Sequence, residues 1–564
     1  MLNRLRRRPR SWPDEERWET WPVKARVLAV TRTLTSATRV LDVLTLLVRP
    51  QAGIKCYITV NPGSEFTAGL DTYLDDQQPG ITVLPWEEAV RYEFDLAVAC
   101  AVHASMHRLH APLVVLPHGA GYNRLVTEST GDEVSAAGLS RNELTHRGRV
   151  FPAVIGLSHE EQFGRLRAWC PEALPRARDV GDLGFTRMLA SLGRRDDYRA
   201  ALGAIDGRRL VVVNSTWSKH SLAARSLDLP HRLIEQLPAD EYTVAVILHP
   251  NIWAKHDPET LLATARRSGL RLIPPHQGWQ AALVAADVLI GDHGSVSFYG
   301  SALDHPTLLV ATGAAELDPH SPTYAFGQAA PALDPDGDLL AQLETAIAKY
   351  DPELLRPITD RSLGQRHRAV PELAPVLFDF LSKKIENLVA PEPLPPYPAP
   401  VPLAVEPPAA YDVEGESDGA EVSVRRFPID PDGHARGVFV LSATVPTVEL
   451  RSVAEVLART EIHAERPAEH WLAEAAAELP GLLVAVAALG HDRGLLRLRT
   501  GELLEAHAER PYGGVQPGLD PLLLGGAVAL WLAEGGDPGN LPEHGLTIRT
   551  GEHRTRVAFT PPPG

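Results

Sequence analysis

Residues 286–301 read Ala-Asp-Val-Leu-Ile-Gly-Asp-His-Gly-Ser-Val-Ser-Phe-Tyr-Gly-Ser. The apolar run Val288 to Ile290 enters a Gly-Asp-His-Gly-Ser turn, and the chain leaves it through a short helix-like run. Asp304-His305-Pro306 then introduces a second apolar run, Thr307 to Val310. Strand, polar turn, helix and strand in such quick succession indicate an open α/β sheet, in which ligands bind outside the carboxyl ends of the strands. Free N–H groups at the helix start favour an anion, and Gly294 lets the backbone come close to it. The turn therefore points to a phosphate-bearing ligand.

Upstream, the same alternation runs back to Arg209. Leu210 to Val213 reads as a strand followed by the polar turn Asn214-Ser215-Thr216-Trp217-Ser218. Tyr242 to Leu248 is a strand ending at His249-Pro250, and Leu270 to Ile273 is another. The helix-like run Pro371 to Leu388 is expected to close this sheet. An earlier copy of the pattern has strands at Arg26 to Thr31, Lys55 to Val60, Asp95 to Cys100, Leu113 to Leu116 and Val154 to Ser158, with helical stretches between them. Alternation at these lengths predicts parallel, doubly wound sheets. Two such units facing one another make a cleft, the natural place for a ligand.

The expected organisation is a basic tail at 1–22, a first Rossmann-like unit at 23–190 and a second at 191–388. A Pro-rich acidic linker follows at 389–420, then a small α+β domain at 421–564 with helices at Ala468 to Ala488 and Pro521 to Ala533. A Pro-rich stretch favours an extended, semi-rigid chain over a packed core.

A net charge of −16 argues against broad nucleic-acid binding, because a polyanion is repelled over most of the surface. The Arg4, Arg6, Arg7, Arg8 and Arg10 cluster is the exception, a candidate for weak peripheral contact with anionic lipid on the inner face of a membrane. No apolar run approaches the roughly 20 residues of a membrane span. Cys56, Cys100 and Cys170 lack metal-ligand spacing and read as reduced thiols, and a cytoplasmic setting is expected. No metal and no cofactor is expected.

Four polar turns carry the candidate chemistry. His118-Gly119-Ala120-Gly121 offers an imidazole that titrates near neutrality beside a backbone that a ligand can approach. Ser215 and Thr216 offer hydroxyls. His249 precedes Pro250, which restricts it to an extended conformation. Asp292, Gly294 and Ser295 complete the set at the quoted turn.

In this order, His-Gly, Thr-Trp, His-Pro and Asp-x-x-Ser resemble the CDP-glycerol glycerophosphotransferases of teichoic-acid synthesis, over residues 26–388. Val180 to Arg187 looks like a divergent form of that family's interdomain segment. The resemblance implies a GT-B fold, two Rossmann-like domains facing a cleft, and a nucleotide-linked donor (CDP- or UDP-linked) with a hydroxyl acceptor. It implies His118 as base for that hydroxyl and His249 as a contact to the pyrophosphate or the transferring phosphoryl group. Gly119, Ser215, Thr216, Asp292, Gly294 and Ser295 would form the donor and phosphate side. His293 and Gly294 stand where the family has Tyr and Ser, and Ser218-Lys219 follow Trp217 where it has arginine. Two alternatives follow: a catalytically reduced scaffold used for binding or regulation, and an enzyme like the UDP-N-acetylglucosamine 2-epimerases. The latter needs cleft carboxylates, for which Asp292 is the candidate.

Overall fold

The computed structural model describes residues 10, 12, 22–48, 52–63, 70, 73–74, 81–364, 366–390, 394–429, 435–446, 448–510 and 518–562. Arg4, Arg6, Arg7 and Arg8 lie outside these. The two expected parallel sheets are present. The first has seven strands, in the order Ile81–Val83, Ile54–Val60, Ala25–Thr31, Leu96–Ala99, Leu113–Val115, Val154–Leu157 and Ala177–Asp179. The second has five, in the order Arg271–Ile273, Tyr242–Leu248, Arg209–Ser215, Val288–Asp292 and Thr307–Ala311. All neighbours within both sheets are parallel.

In each sheet the first strand in sequence lies third in the order, inside the sheet, and the winding reverses beside it. That reversal opens a crevice at the carboxyl ends, between Arg209–Ser215 and Val288–Asp292 in the second unit. The central strands are buried on both faces, which accounts for their continuous apolar runs. The architecture is the GT-B type: two Rossmann-like units on either side of a cleft, with a separate C-terminal domain.

The helix expected to close the second sheet does something else. It spans Ala369–Leu381, and its buried Val370, Leu373, Leu377 and Leu381 pack in the first unit's core, with Val27, Val40, Leu96 and Val180. The apolar face is the same in either case; only the tertiary partner differs.

The units are joined by a buried guanidinium. Arg39, on helix Leu34–Leu44 of the first unit, donates to the Tyr299 hydroxyl of the second at 2.7 Å and to the His118 carbonyl at 3.3 Å. Tyr299 in turn donates to Asp182 at 2.5 Å. Burial alone would lower the Arg39 pKa, but Tyr299, Asp182, Tyr397 and Asp42 together hold it above its ordinary value.

Part of the Pro-rich segment straps this junction. Tyr397 is buried; its hydroxyl donates to Asp42 at 2.8 Å and its N–H to Ser191 Oγ at 2.9 Å. Arg187 lies on its ring at 4.1 Å and donates to Asp42 at 2.6 Å and to the Pro395 carbonyl at 2.8 Å. Farther on, Leu403 N–H donates to the Leu272 carbonyl at 2.9 Å, beside the second sheet's edge strand.

The C-terminal domain is a closed nine-stranded barrel. Its first strand, Ala410–Asp418, lies within the stretch read as linker. Helix Pro521–Ala533 is buried on nearly every side among barrel residues Val413, Val440, Val456 and Val486, as an all-round apolar helix must be. The expected long helix from Ala468 stops at Glu478; Pro480-Gly481 break it, and Val484–Ala488 forms a strand buried on both faces. Arg426 docks the barrel on the second unit through Asp240, at 2.7 and 2.8 Å, and also pairs with Asp520.

Gly184 tests the junction. It lies in helix Leu183–Ala190, where alanine would ordinarily be favoured by about 1 kcal/mol. A Cβ there would overlap the Arg39 guanidinium. Overpacking wins, so Gly184→Ala should destabilise the protein by about 1–3 kcal/mol, read as an earlier first transition in denaturant.

Candidate functional site

At the second unit's crevice, strand Arg209–Ser215 runs into Thr216-Trp217, and strand Val288–Asp292 runs into His293-Gly294. Asp292 ties the two exits together. Fully buried, it accepts N–H groups from Thr216 (2.9 Å), Leu222 (2.9 Å) and Gly294 (3.0 Å), and the Ser215 hydroxyl at 3.1 Å. Burial raises its pKa, partly offset by His293 and these N–H groups. Ser215 is likewise turned inward, its Oγ accepting Ala223 N–H at 2.9 Å. Both side chains are spent on shaping the loops, so a direct contact to phosphate from either is not what the geometry offers.

Gly294, Ser295 and Thr216 sit at the rim. Ser295 begins helix Ser295–Ala302, and its Oγ accepts Ala120 N–H from the first unit at 3.3 Å. A side chain at Gly119 would lie 2.5 Å from that oxygen, so glycine there lets the two units meet.

The two histidines face the same cleft from opposite units. His118 reaches solvent with protein mass around it. That surrounding mass, then Arg39 and Arg124, hold its pKa down to about 4, while the Cys100 backbone carbonyl faces the ring and raises it in part. His249 caps helix Pro250–Lys255, with Nδ1 accepting Asn251 N–H at 3.1 Å. Burial, then Arg124 and His118, push its pKa down to about 3. Both imidazoles are therefore neutral at physiological pH. With Nδ1 of His249 acting as acceptor, its proton resides on Nε2, which makes that atom a donor. Neutral His118 likewise keeps one nitrogen that can accept a proton.

Arg124 and Glu316, which the sequence reading missed, complete the cleft. Arg124 belongs to the first unit, six residues past His118. Its guanidinium lies 4.6 Å from the Trp217 ring centre and donates to the Trp217 carbonyl at 3.1 Å and Thr216 Oγ1 at 3.4 Å. No arginine follows Trp217 in the chain, and Arg124 of the other unit brings a guanidinium to that turn. Arg124 also pairs with Glu316, which accepts from the Ser218 hydroxyl at 3.0 Å and contacts His293 Nε2. Burial would raise the Glu316 pKa; His293, Arg124 and Ser218 bring it below its ordinary value. His293 is turned into the protein. No spacing rule connects positions 124, 217 and 316; only their shared turn with His118 marked Arg124.

A separate cavity lies away from the histidines. About 680 Å³ opens between the second unit and the barrel, lined by Arg209, Glu241, Glu344, Glu414, Arg425 and Glu552 among others. Among the described residues no cluster of three or more His, Cys, Asp or Glu side chains is placed to hold a metal ion. No described helix is long and apolar enough to cross a membrane.

No family model matches this sequence, and no curated protein matches it either. Among solved structures, the wall teichoic acid polymerase TagF superposes with a TM-score of 0.48 at 12% identity, over 65% of this chain and 91% of that one. A UDP-GlcNAc 2-epimerase from Neisseria meningitidis bound to UDP-GlcNAc gives 0.40 at 13% identity, over 64% and 100%. S. aureus MnaA with UDP gives 0.38 at 9%, over 64% and 97%.

The histidine shifts have a consequence for stability. Both folded pKa values lie below that of an unfolded histidine, so between pH 6.5 and about 4 the unfolded chain binds more protons than the native one. Their contribution is present above that window and is lost as pH falls through it. Wild-type thermal stability should therefore drop more steeply on acidification from pH 6.5 than that of His118→Asn/His249→Asn, measured side by side.

Proposed function

We propose that this chain is a transferase that uses a nucleotide-activated donor, most specifically for CDP-glycerol-like glycerophosphotransfer to a hydroxyl acceptor. One observation carries the reading: two histidines from opposite units face one cleft, both held neutral, and His249 presents an Nε2–H while neutral His118 keeps a nitrogen that can take a proton. A transfer between two substrates needs that division of labour, an acceptor-side base and a donor-side hydrogen-bond donor.

In this reading His118 takes the proton from the acceptor hydroxyl as its oxygen forms a bond to phosphorus. The bond from phosphorus to the bridging oxygen breaks, and CMP leaves with the electron pair. His249 Nε2–H, the Ser295 hydroxyl, Thr216 and the Gly294 region surround the phosphates. Asp292 and Ser215 act as positioning residues that hold those loops. Positioning and charge neutralisation supply most of the rate in phosphoryl transfer, so the chain need form no covalent bond to substrate.

The epimerase alternative is disfavoured by the carboxylates. Asp292 is wholly engaged by its four donors and closed to solvent. Glu316 is tied to Arg124 and His293, and its lowered pKa makes it a weak base.

A thermal-shift panel of CDP-glycerol, CDP-ribitol, UDP-N-acetylglucosamine and CMP tests donor binding, since a ligand of the native state must raise its apparent stability. The expected result is a shift with a CDP-linked compound; no shift with any of the four would sink the reading. With a responding donor and acceptor, His118→Ala should reduce turnover by about 10²–10⁴-fold while donor affinity is kept. His249→Ala and His249→Asn should both weaken the donor, but asparagine should retain the helix cap, worth about 1 kcal/mol, that alanine loses.

A further inference from the structure

Arg124 is rooted in one unit and spends its guanidinium on the other. It spans the cleft to Thr216, Trp217 and Glu316, with its side chain 23% exposed. Burial lowers its pKa, against the pull of Glu316 and Asp292. Its charge is felt at both His118 and His249. A guanidinium lying over an indole, with one arm of its fork on a carboxylate and the other on a hydroxyl, carries donors that also fit a phosphate.

The carboxylate on that fork can be given up at low cost. Removing one partner from a buried pair is normally costly because the other charge is left unpaired. Glu316 escapes this, because the Ser218 hydroxyl and His293 remain on it when Arg124 leaves. Arg124 in turn keeps the Trp217 ring and carbonyl, so it need only redirect its fork. A diphosphate, carrying more charge than one carboxylate, competes well for it.

We propose that Arg124 is the donor-phosphate clamp of the cleft, contributed by the unit opposite the donor loops, and that Glu316 is its exchange partner, displaced when a phosphate engages the guanidinium. The clamp rests on the nucleotide-donor reading above. It makes the bridge between the units part of donor recognition: the first unit holds the donor's phosphates directly. It also makes phosphate number the property read at this point, so affinity gained from nucleoside to nucleoside diphosphate runs through Arg124.

Calorimetric titration of the full chain with cytidine, CDP, uridine, UDP and inorganic pyrophosphate separates the possibilities. In Arg124→Ala, the better-bound diphosphate should weaken by about ten- to a hundredfold, as expected for loss of a charge-assisted contact, with the nucleoside unchanged. Arg124→Lys should fall between the two. Glu316→Gln removes the competing charge at nearly constant volume and should tighten the diphosphate and pyrophosphate severalfold. A merely structural role for the pair gives the opposite sign at Glu316→Gln, because breaking a bridge between units would loosen the cleft. The clamp is overturned if Arg124→Ala binds diphosphates like the wild type, or if Glu316→Gln fails to tighten them. In either case a wild type that binds CDP or UDP leaves the donor reading standing. A wild type that binds no nucleotide and no pyrophosphate overturns both. Unfolding of each variant without ligand, with Arg124→Lys as the gentler change, identifies any that fails to fold.

Discussion

The cleft depends on one buried cation. Arg39 is taken out of water at the junction of the two units, where an unpaired guanidinium would cost several kcal/mol. Its surroundings supply what water no longer can: the Tyr299 hydroxyl, the His118 carbonyl, and the charges of Asp42 and Asp182. Each partner comes from a different part of the chain. Asp42 shares its helix, His118 lies in the cleft turn, Tyr299 belongs to the second unit, and Asp182 sits where the units join. Satisfying one charge therefore sets the relation between the units and the seat of His118 together. Gly184 is part of the same constraint, because the guanidinium occupies the space a side chain would need.

A second buried charge does comparable work inside the second unit. Asp292 gathers N–H groups from two loops that are far apart in sequence, so the Thr216 and Gly294 turns form one surface instead of two. An acidic residue facing a phosphate would be repulsive; enclosed behind its own donors, it instead orients the backbone that borders the cleft. Arg124 restores positive charge at that surface. The surrounding protein mass holds both histidines below their ordinary pKa, and the Arg124 charge adds to that effect. The strap through Tyr397 adds a third tie, which holds Asp42 by the same carboxylate oxygen that faces Arg39.

Much of this was legible from local pattern. Val288 to Ile290 and Tyr242 to Leu248 are buried on both faces, and a strand buried so reads as an unbroken apolar run. His118 and His249 stood out because glycine or proline beside an imidazole marks a strand exit. Other features had no such signature. Asp292 looked like a ligand because an acidic residue at a turn carries no mark of what its carboxylate accepts. Val484–Ala488 reads as helix in sequence because a short alanine- and valine-rich run suits either period. The strand Ala410–Asp418 was hidden in a proline-rich neighbourhood, and the role of Tyr397 was hidden with it.

The sequence alone determined the fold class, the strands of both sheets except the short edge strands Ile81–Val83 and Ala177–Asp179, and the turns that border the cleft, since all of these follow from period, polarity and turn chemistry within a few consecutive residues. Tertiary structure decided which helix closes which unit, that Tyr397 straps the junction, and that Arg124 stands where the chain after Trp217 has no arginine. Those outcomes depend on satisfying buried charges among residues separated by tens to hundreds of positions. Arg39 with Tyr299, Arg124 with Glu316 and Tyr397 with Asp42 are such pairs. Nothing in the order of residues along a chain records which distant partner a guanidinium or a carboxylate will find; that is settled when both leave water together.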